Sequence, residues 1–437
     1  MFVLPAVIKA NRAGRRSGIC SICSANPFVL ETAMAEAREC GRVVCIESTS
    51  NQVNQFGGYS GMTAADFVRL VRDVASETGF PYERILLGGD HLGPHPWQDE
   101  PAESAMEKAS ELVRSCVLSG YTKIHLDASM RCADDPGGKE TPLAERMVTR
   151  RAAELCRVAE DAHASRAPGS PAPYYVIGTD VPPPGGEKLE SKIWTTSTES
   201  LERTVALTRE VFFAMGLEAA WERVVAIVVQ PGVEFGDTSV FEYDRERTRA
   251  LSSCIRKFTG LVFEAHSTDY QTRVALRQMV EDHFAILKVG PWLTFAFREA
   301  VFALEVMERE WLGGRRGVRL SGLQDALENA MIADPRHWQN YYHGGESDIR
   351  FARKYSFSDR SRYYWPNQEV QQALRILLAN LAQSPVPLAL LSQFMPEQYE
   401  AVREERISIS PRDLIRSRIA LVLGIYADAC GTPTIDE

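Results

Sequence analysis

Asp90 and His91 stand side by side in the segment GGDHLGP. An aspartate beside an imidazole offers a proton acceptor and a neutral metal ligand. The same pair could instead form a buried hydrogen bond that shapes a loop. The glycine pair before it lets a backbone or a ligand approach closely. Glu264 and His266 are two residues apart in VFEAHSTD, so on a strand both side chains share one face. A carboxylate and an imidazole together suit a divalent metal. The apolar run ahead of them argues against an exposed ion pair on an edge strand. Asp127 closes KIHLDAS, where it could bind a metal or a sugar hydroxyl. His125, two residues earlier on the same face, reads more simply as core. Glu47 is followed by Asn51, Gln52, Asn54 and Gln55, a set of carboxylate and amides that can read sugar hydroxyls or merely form a polar loop. Lys288 in LKVGP could hold a phosphate, stabilise a developing oxyanion or form a Schiff base.

These residues share a position. Eight segments begin with a short continuous apolar run and end in polar residues: 17–25, 42–49, 84–93, 123–130, 174–182, 224–232, 260–269 and 284–293. Continuous apolar runs suit parallel strands buried on both faces. Helical stretches are expected between them at 27–40, 64–79, 102–119, 143–164, 197–217, 244–257 and 270–281. Eight strands alternating with helices is the count of a (β/α)8 TIM barrel, whose active sites lie at the C-terminal strand ends. Chemistry-bearing residues at nearly every strand end favour that closed arrangement over an open sheet with one switch point. Barrels also often bind phosphate near strands seven and eight, which makes Ser267, Thr268 and Lys288 the natural candidates. The barrel is expected over 1–312. Residues 313–437, with helical stretches at 323–333, 369–383, 388–393 and 411–427 and an aromatic block between the first two, read as a helical C-terminal extension packed on it.

The chain has 437 residues, 45% of them hydrophobic and 24% charged, with a net charge of −9. That composition excludes extensive disorder and lacks the basic balance of a nucleic-acid-binding protein. No apolar run is long enough for a membrane span. The first sixteen residues put the apolar part before the arginines, the reverse of a secretory signal. Nine scattered cysteines suit reduced thiols in a cytoplasmic protein. Cys20 and Cys23 form a lone C-x-x-C inside a strand, which fits packing better than zinc or redox work. There is no G-x-x-x-x-G-K-[ST] phosphate loop, no kinase motif set and no G-x-S-x-G elbow.

Eight blocks carry a resemblance: IESTSNQVNQFGGYSGMT (46–63), LGGDHLGPHPWQDEPAESAM (87–106), KIHLDASMRCADD (123–135), VIGTDVPPPGG (176–186), VVQPGVEF (228–235), FEAHSTDYQ (263–271), LKVGP (287–291) and YSFSDRSRYYWP (355–366). In this order the chain resembles the family of non-catalytic, Z-type subunits of tagatose-1,6-bisphosphate aldolase over about residues 17–425. The resemblance implies a distant relation to class II metal-dependent aldolases. It also implies a role in sustaining a separate catalytic aldolase subunit as partner, in sugar-phosphate metabolism. Members also labelled tagatose-6-phosphate kinase find no nucleotide motif here to match that label. By resemblance Asp90 corresponds to the class II base, His91 and His266 to metal ligands, with Asp127 a further candidate ligand and Glu264 a candidate catalytic carboxylate. Glu47, Asn51, Gln55, Asp180, Gln230, Ser267, Asp269 and Lys288 are the expected substrate contacts. Gln230 stands where a strand-six histidine ligand is expected, which weakens independent aldolase activity. Glu264 could compensate and would favour Mn²⁺ or Mg²⁺ over Zn²⁺. Asp180 stands where the family shows Glu. The alternative is a metal-dependent ketose 4-epimerase that works by retro-aldol cleavage and re-addition. Self-association stays open.

Overall fold

A computed structural model describes residues 3–138, 142–178, 181 and 194–431. Eight parallel strands close into a barrel: β1 Ile19–Cys23, β2 Val44–Thr49, β3 Ile85–Leu92, β4 Lys123–Leu126, β5 Tyr174–Ile177, β6 Val224–Val228, β7 Val262–Ala265 and β8 Phe284–Val289. They neighbour one another in sequence order, and β8 pairs with β1 to complete the ring, with Ile22 opposite Val289. The expected barrel is therefore the fold. The ladders stop a few residues short of the expected strand ends. The polar residues that follow Leu126 and Val228 leave the sheet and enter loops at the barrel mouth.

Strand alternation sorts the interior into layers. At the N-terminal end Ile19, Cys45, Val176, Ala226, Val262 and Ile286 form an apolar cluster. Leu4 and Ile8 from the helix Val3–Arg12 pack on it and cap this end of the barrel. That helix was not anticipated, because its short apolar stretch resembled nothing beyond a failed signal sequence. Two residues further along β1, β2, β7 and β8 the interior turns polar and ionic, at Ser21, Glu47, Glu264 and Lys288, joined by Lys123 of β4.

The surrounding helices begin and end on local signals. The helix Ala64–Thr78 has a capping box between Thr63 and Asp66 and stops at Gly79 in the left-handed region, where glycine carries no Cβ penalty. The helix after β8 starts at Pro291, inside the segment 284–293 expected as the eighth strand. A proline fits the first turn because its missing N–H would have no helical partner there.

Residues after 312 form helices Leu323–Ala333, Glu346–Tyr355, Gln368–Gln383, Leu388–Phe394, Pro396–Arg403 and Pro411–Cys430. The last of these packs between the helices that follow β7 and β1 and touches β1 itself. The Gly18 N–H donates to the Cys430 carbonyl at 2.9 Å, and the buried Tyr426 hydroxyl lies 2.9 Å from the Thr268 carbonyl oxygen. The outer layer over the β8–β1 seam is thus built from residues 411–430. The buried Ile419 sits in that seam, whereas Leu421 on the same helix is exposed. Ile419→Ala is expected to cost about 2–4 kcal/mol of stability, and Leu421→Ala less than about 0.5 kcal/mol, read by urea titration. Equal effects would show that the last helix is not part of that layer.

Candidate metal and sugar site

The site grows from the ionic layer. Lys123 has no solvent exposure; its Nζ lies 2.5 Å from Glu47 Oε1 and 2.6 Å from Glu264 Oε2. Lys288 reaches Glu47 Oε2 at 2.8 Å and Glu264 Oε1 at 3.5 Å, and also pairs with Asp90 Oδ1. Ser21 donates to Glu47 Oε1 at 2.6 Å. Two lysines and three carboxylates from five different strands are locked together where water is excluded. Gly88 on β3 makes the space, since a Cβ there would come within 2.9 Å of Glu47 Cγ and 3.2 Å of the Lys123 Cβ.

Three imidazoles lie above this layer. A register irregularity in β3 between Gly89 and Leu92 brings consecutive residues Asp90 and His91 to the same place, as β-bulges do. His91 has φ of +48°, an uncommon conformation for a side chain of this type and one that clusters at functional sites. Gly93 permits the turn, because a Cβ at that position would strike the Asp127 carbonyl oxygen. The His91, His125 and His266 rings form a triangle with centroids 4.8–5.1 Å apart. With Asp90, each offers a ligand atom within 4.8 Å of the others.

The protonation pattern follows from the partners. His91 Nδ1 is 2.7 Å from Asp127 Oδ2. Donation along that bond leaves the second ring nitrogen with its lone pair, as in the carboxylate–histidine–metal arrangement. Burial disfavours a charged His91, yet Asp90 and Asp127 outweigh it and raise its pKa. Burial takes His266 down to about 3, aided by Lys288 and His91, so it is neutral at physiological pH. Burial also works against the Asp90 carboxylate, but His91 and Lys288 hold it well below the usual range. His125 Nδ1 lies 3.1 Å from Asp90 Oδ1; donation along that bond leaves the lone pair on the buried Nε2, which has no hydrogen-bond partner.

That orphaned nitrogen, next to two further imidazoles and a carboxylate, fits a bound divalent cation. Charge supports the fit. Glu47, Glu264, Asp90 and Asp127 carry four negative charges against two ammonium groups, leaving two to neutralise when the imidazoles are uncharged. Sequence reasoning underweighted His125 as core and overlooked Lys123. The signal for both was present in KIHLD, where Lys123, His125 and Asp127 alternate on one face of a buried strand. Position 230 has no histidine, and β4 offers a third imidazole in His125. Glu264 is committed to two lysines and His266, so the donor set that could hold an ion is imidazole-rich.

A pocket opens above the cluster, lined by Asp90, His91, His266, Lys288, Asn51, Ser267 and Asp269 among others. Other expected sugar contacts lie elsewhere. Glu47 is sealed beneath the pocket with both oxygens on lysines. Gln55 points its amide at the Lys108 carbonyl. Gln230 accepts the Gly232 N–H and closes its own turn. Asp180 lies outside the described residues. Arg362 and Tyr363 belong to the block 355–366, which from sequence could close over the site, meet a partner or simply pack on the barrel; both line the pocket. The Tyr363 ring stacks on His337 at 4.6 Å and meets Tyr59 edge-on at 4.4 Å.

The ionic layer makes a sharp prediction. Lys123→Met leaves Glu47 and Glu264 buried without their shared cation and should cost about 3–5 kcal/mol, seen as a large fall in unfolding midpoint. A variant as stable as the parent would show that the two carboxylates do not depend on Lys123.

The description "D-tagatose-1,6-bisphosphate aldolase subunit GatZ/KbaZ-like" matches residues 4–431. A crystal structure of a probable tagatose 6 phosphate kinase from Sinorhizobium meliloti 1021 is 43% identical, with a TM-score of 0.85 over 94% of this chain and 100% of that one. More distant are the fructuronate-tagaturonate epimerase UxaE from Cohnella laeviribosi (14% identity, TM-score 0.49, 94% of this chain and 81% of that one) and a fructose-bisphosphate aldolase from Campylobacter jejuni (13%, 0.46, 85% and 89%). With nearly its whole length matched, the chain belongs to the D-tagatose-1,6-bisphosphate aldolase subunit GatZ/KbaZ-like family.

Proposed function

We propose that the protein is the accessory subunit that sustains a catalytic class II tagatose-bisphosphate aldolase subunit in galactitol and tagatose catabolism, in the cytoplasm. The observation that carries this reading is family membership over residues 4–431. The site gives weight to a second reading, a metal-dependent ketose 4-epimerase acting on tagatose 6-phosphate and fructose 6-phosphate. An accessory scaffold has no need of three imidazoles and a carboxylate converging beneath an open pocket. The two roles are compatible in one chain.

In the second reading His91, His125 and His266 would hold a divalent ion, with Asp90 beside it. Bound there, it would polarise a ketose carbonyl and stabilise negative charge on its oxygen. The chain's own groups account for the rest. Asp90 spends Oδ1 on Lys288 and His125, leaving Oδ2 with weak neighbours, the Thr49 hydroxyl at 3.5 Å, His91 Nε2 at 3.8 Å and the Cys23 thiol at 3.9 Å. That oxygen is the acceptor for the C4 hydroxyl proton when the C3–C4 bond breaks, and it returns the proton after the aldehyde has turned its other face and the bond has re-formed. Lys288 keeps Asp90 ionised and fixed in direction. Asp127 holds His91 in one tautomer. Asn51 lines the pocket where sugar hydroxyls would lie. A kinase reading has no support, because the chain lacks a phosphate loop.

Two measurements test these readings. Mixed with a class II tagatose-bisphosphate aldolase catalytic subunit, the protein should co-elute with it and raise its specific activity; separate elution with unchanged activity would exclude the accessory role. Incubated alone with tagatose 6-phosphate and Mg²⁺, Mn²⁺ or Zn²⁺, it should form fructose 6-phosphate by NMR. His125→Ala and His266→Ala should each lower that rate by at least about 100-fold and reduce bound metal. No turnover with any of the three metals would remove the epimerase reading.

A further inference from the structure

The place where a barrel commonly holds a phosphate is already filled here by the chain itself. Helix Pro291–Leu312 begins at the end of β8, and its first N–H groups face the pocket side. Asp269 Oδ1 accepts the N–H of Gly290 at 3.1 Å and of Trp292 at 2.8 Å. A carboxylate thus occupies the helix N-terminus, the position that favours an anion. The other groups around strands seven and eight are also committed. The Ser267 hydroxyl donates to Glu234 Oε2 at 3.2 Å, the Thr268 hydroxyl donates to the Lys288 carbonyl at 2.6 Å, and the Lys288 ammonium is shared among three carboxylates. A second anion beside Asp269 would meet a like charge and find no free donor.

Arg362 offers the opposite environment. It lies in the turn Arg360–Tyr363, which the C-terminal segment lays over the barrel mouth, and it lines the same pocket as Asp90, His91 and His266. Its Nη1 donates to the Ser358 and Asp359 carbonyl oxygens, and its Nη2 lies 3.0 Å from the Tyr363 hydroxyl. These neutral partners aim the guanidinium without neutralising it. The nearby Asp359 carboxylate is spent on Arg298 and Thr294. Among the described residues no carboxylate pairs with Arg362. Tyr59 is a further hydrogen-bond partner, and Asp269 and Asp359 act on the guanidinium only through space. A half-buried guanidinium, fixed at its root and with no carboxylate in ion-pair contact among the described residues, is built to take a phosphate or carboxylate through its remaining N–H groups.

We propose that Arg362 is the anion-binding residue of this pocket, taking the phosphate or carboxylate of a ketose whose reacting carbons lie at the Asp90–histidine cluster. The sugar in this statement rests on the ketose reading above; the anion does not. The proposal assigns the C-terminal segment a part in substrate selection and assigns Asp269 the complementary part of keeping anions away from the β8 end.

Calorimetric titration of the full-length protein with tagatose 6-phosphate, tagaturonate and tagatose tests it. The parent should bind at least one of the two anionic ketoses about 10-fold or more tighter than tagatose. Arg362→Met should abolish that preference while changing tagatose binding less than about 2-fold, and Arg362→Lys should retain part of it. Whichever anionic ketose loses more identifies phosphate or carboxylate as the natural group. Equal binding of all three sugars by the parent, or an unchanged preference in Arg362→Met, would overturn the assignment. If no ketose binds, the ketose reading fails, and inorganic phosphate decides the rest. Line broadening of its ³¹P signal that disappears in Arg362→Met upholds the anion site, and no broadening or persistent broadening overturns it.

Discussion

Everything at the mouth of this barrel stands on two ammonium groups buried inside it. Lys123 and Lys288 are shared among Glu47, Glu264 and Asp90, and none of the five groups could be buried alone. Removing an ion from water costs several kcal/mol, which attraction repays only when the geometry is good and the remaining valences are satisfied. Here each charge has more than one partner, and the partners come from β2, β3, β4, β7 and β8. The network therefore ties together the strands whose ends carry the histidines. A carboxylate held between two lysines cannot rotate, so the chemistry above inherits a rigid base.

The division of labour among carboxylates follows from depth. Glu47 and Glu264 sit level with Lys123, are sealed from solvent and serve as counter-ions. Asp90 sits one step higher on a bulge and has an oxygen to spare. Asp127 is displaced to the side, where it grips His91. Asp269 leaves the cluster and caps a helix, and burial pushes its pKa up to about 6. Five acidic residues in similar sequence settings thus have different tasks, set by which strand they end and how far beyond the last ladder bond they lie.

The fold was legible because its signals are repetitive. Eight apolar runs with polar ends, separated by amphipathic helices, leave few alternatives to a closed barrel. Asp90, His91 and His266 were legible as well, since each lies at a strand end beside a second ligand type. Residues whose roles depend on partners in other strands were harder to read. Lys123 opens an apolar strand and looks like a flanking charge until Glu47 and Glu264 close around it. Glu47 looks like a sugar contact until Ser21 and both lysines claim its oxygens. Arg362 follows β8 by more than seventy positions, and no periodicity connects it to the mouth it covers.

The seam formed by Gly18 and Cys430 has a temporal consequence. During synthesis, all eight strands leave the ribosome well before the helix Pro411–Cys430 that covers the seam between β8 and β1. Until then the apolar flanks of the helices after β7 and β1 have no cover, and the nascent barrel resembles a partly assembled intermediate that other chains could invade. Closure joins segments some four hundred residues apart, so the final step of maturation comes after translation of the whole sheet. The protein is thus most exposed to chaperones and to aggregation in the interval before its last helix arrives.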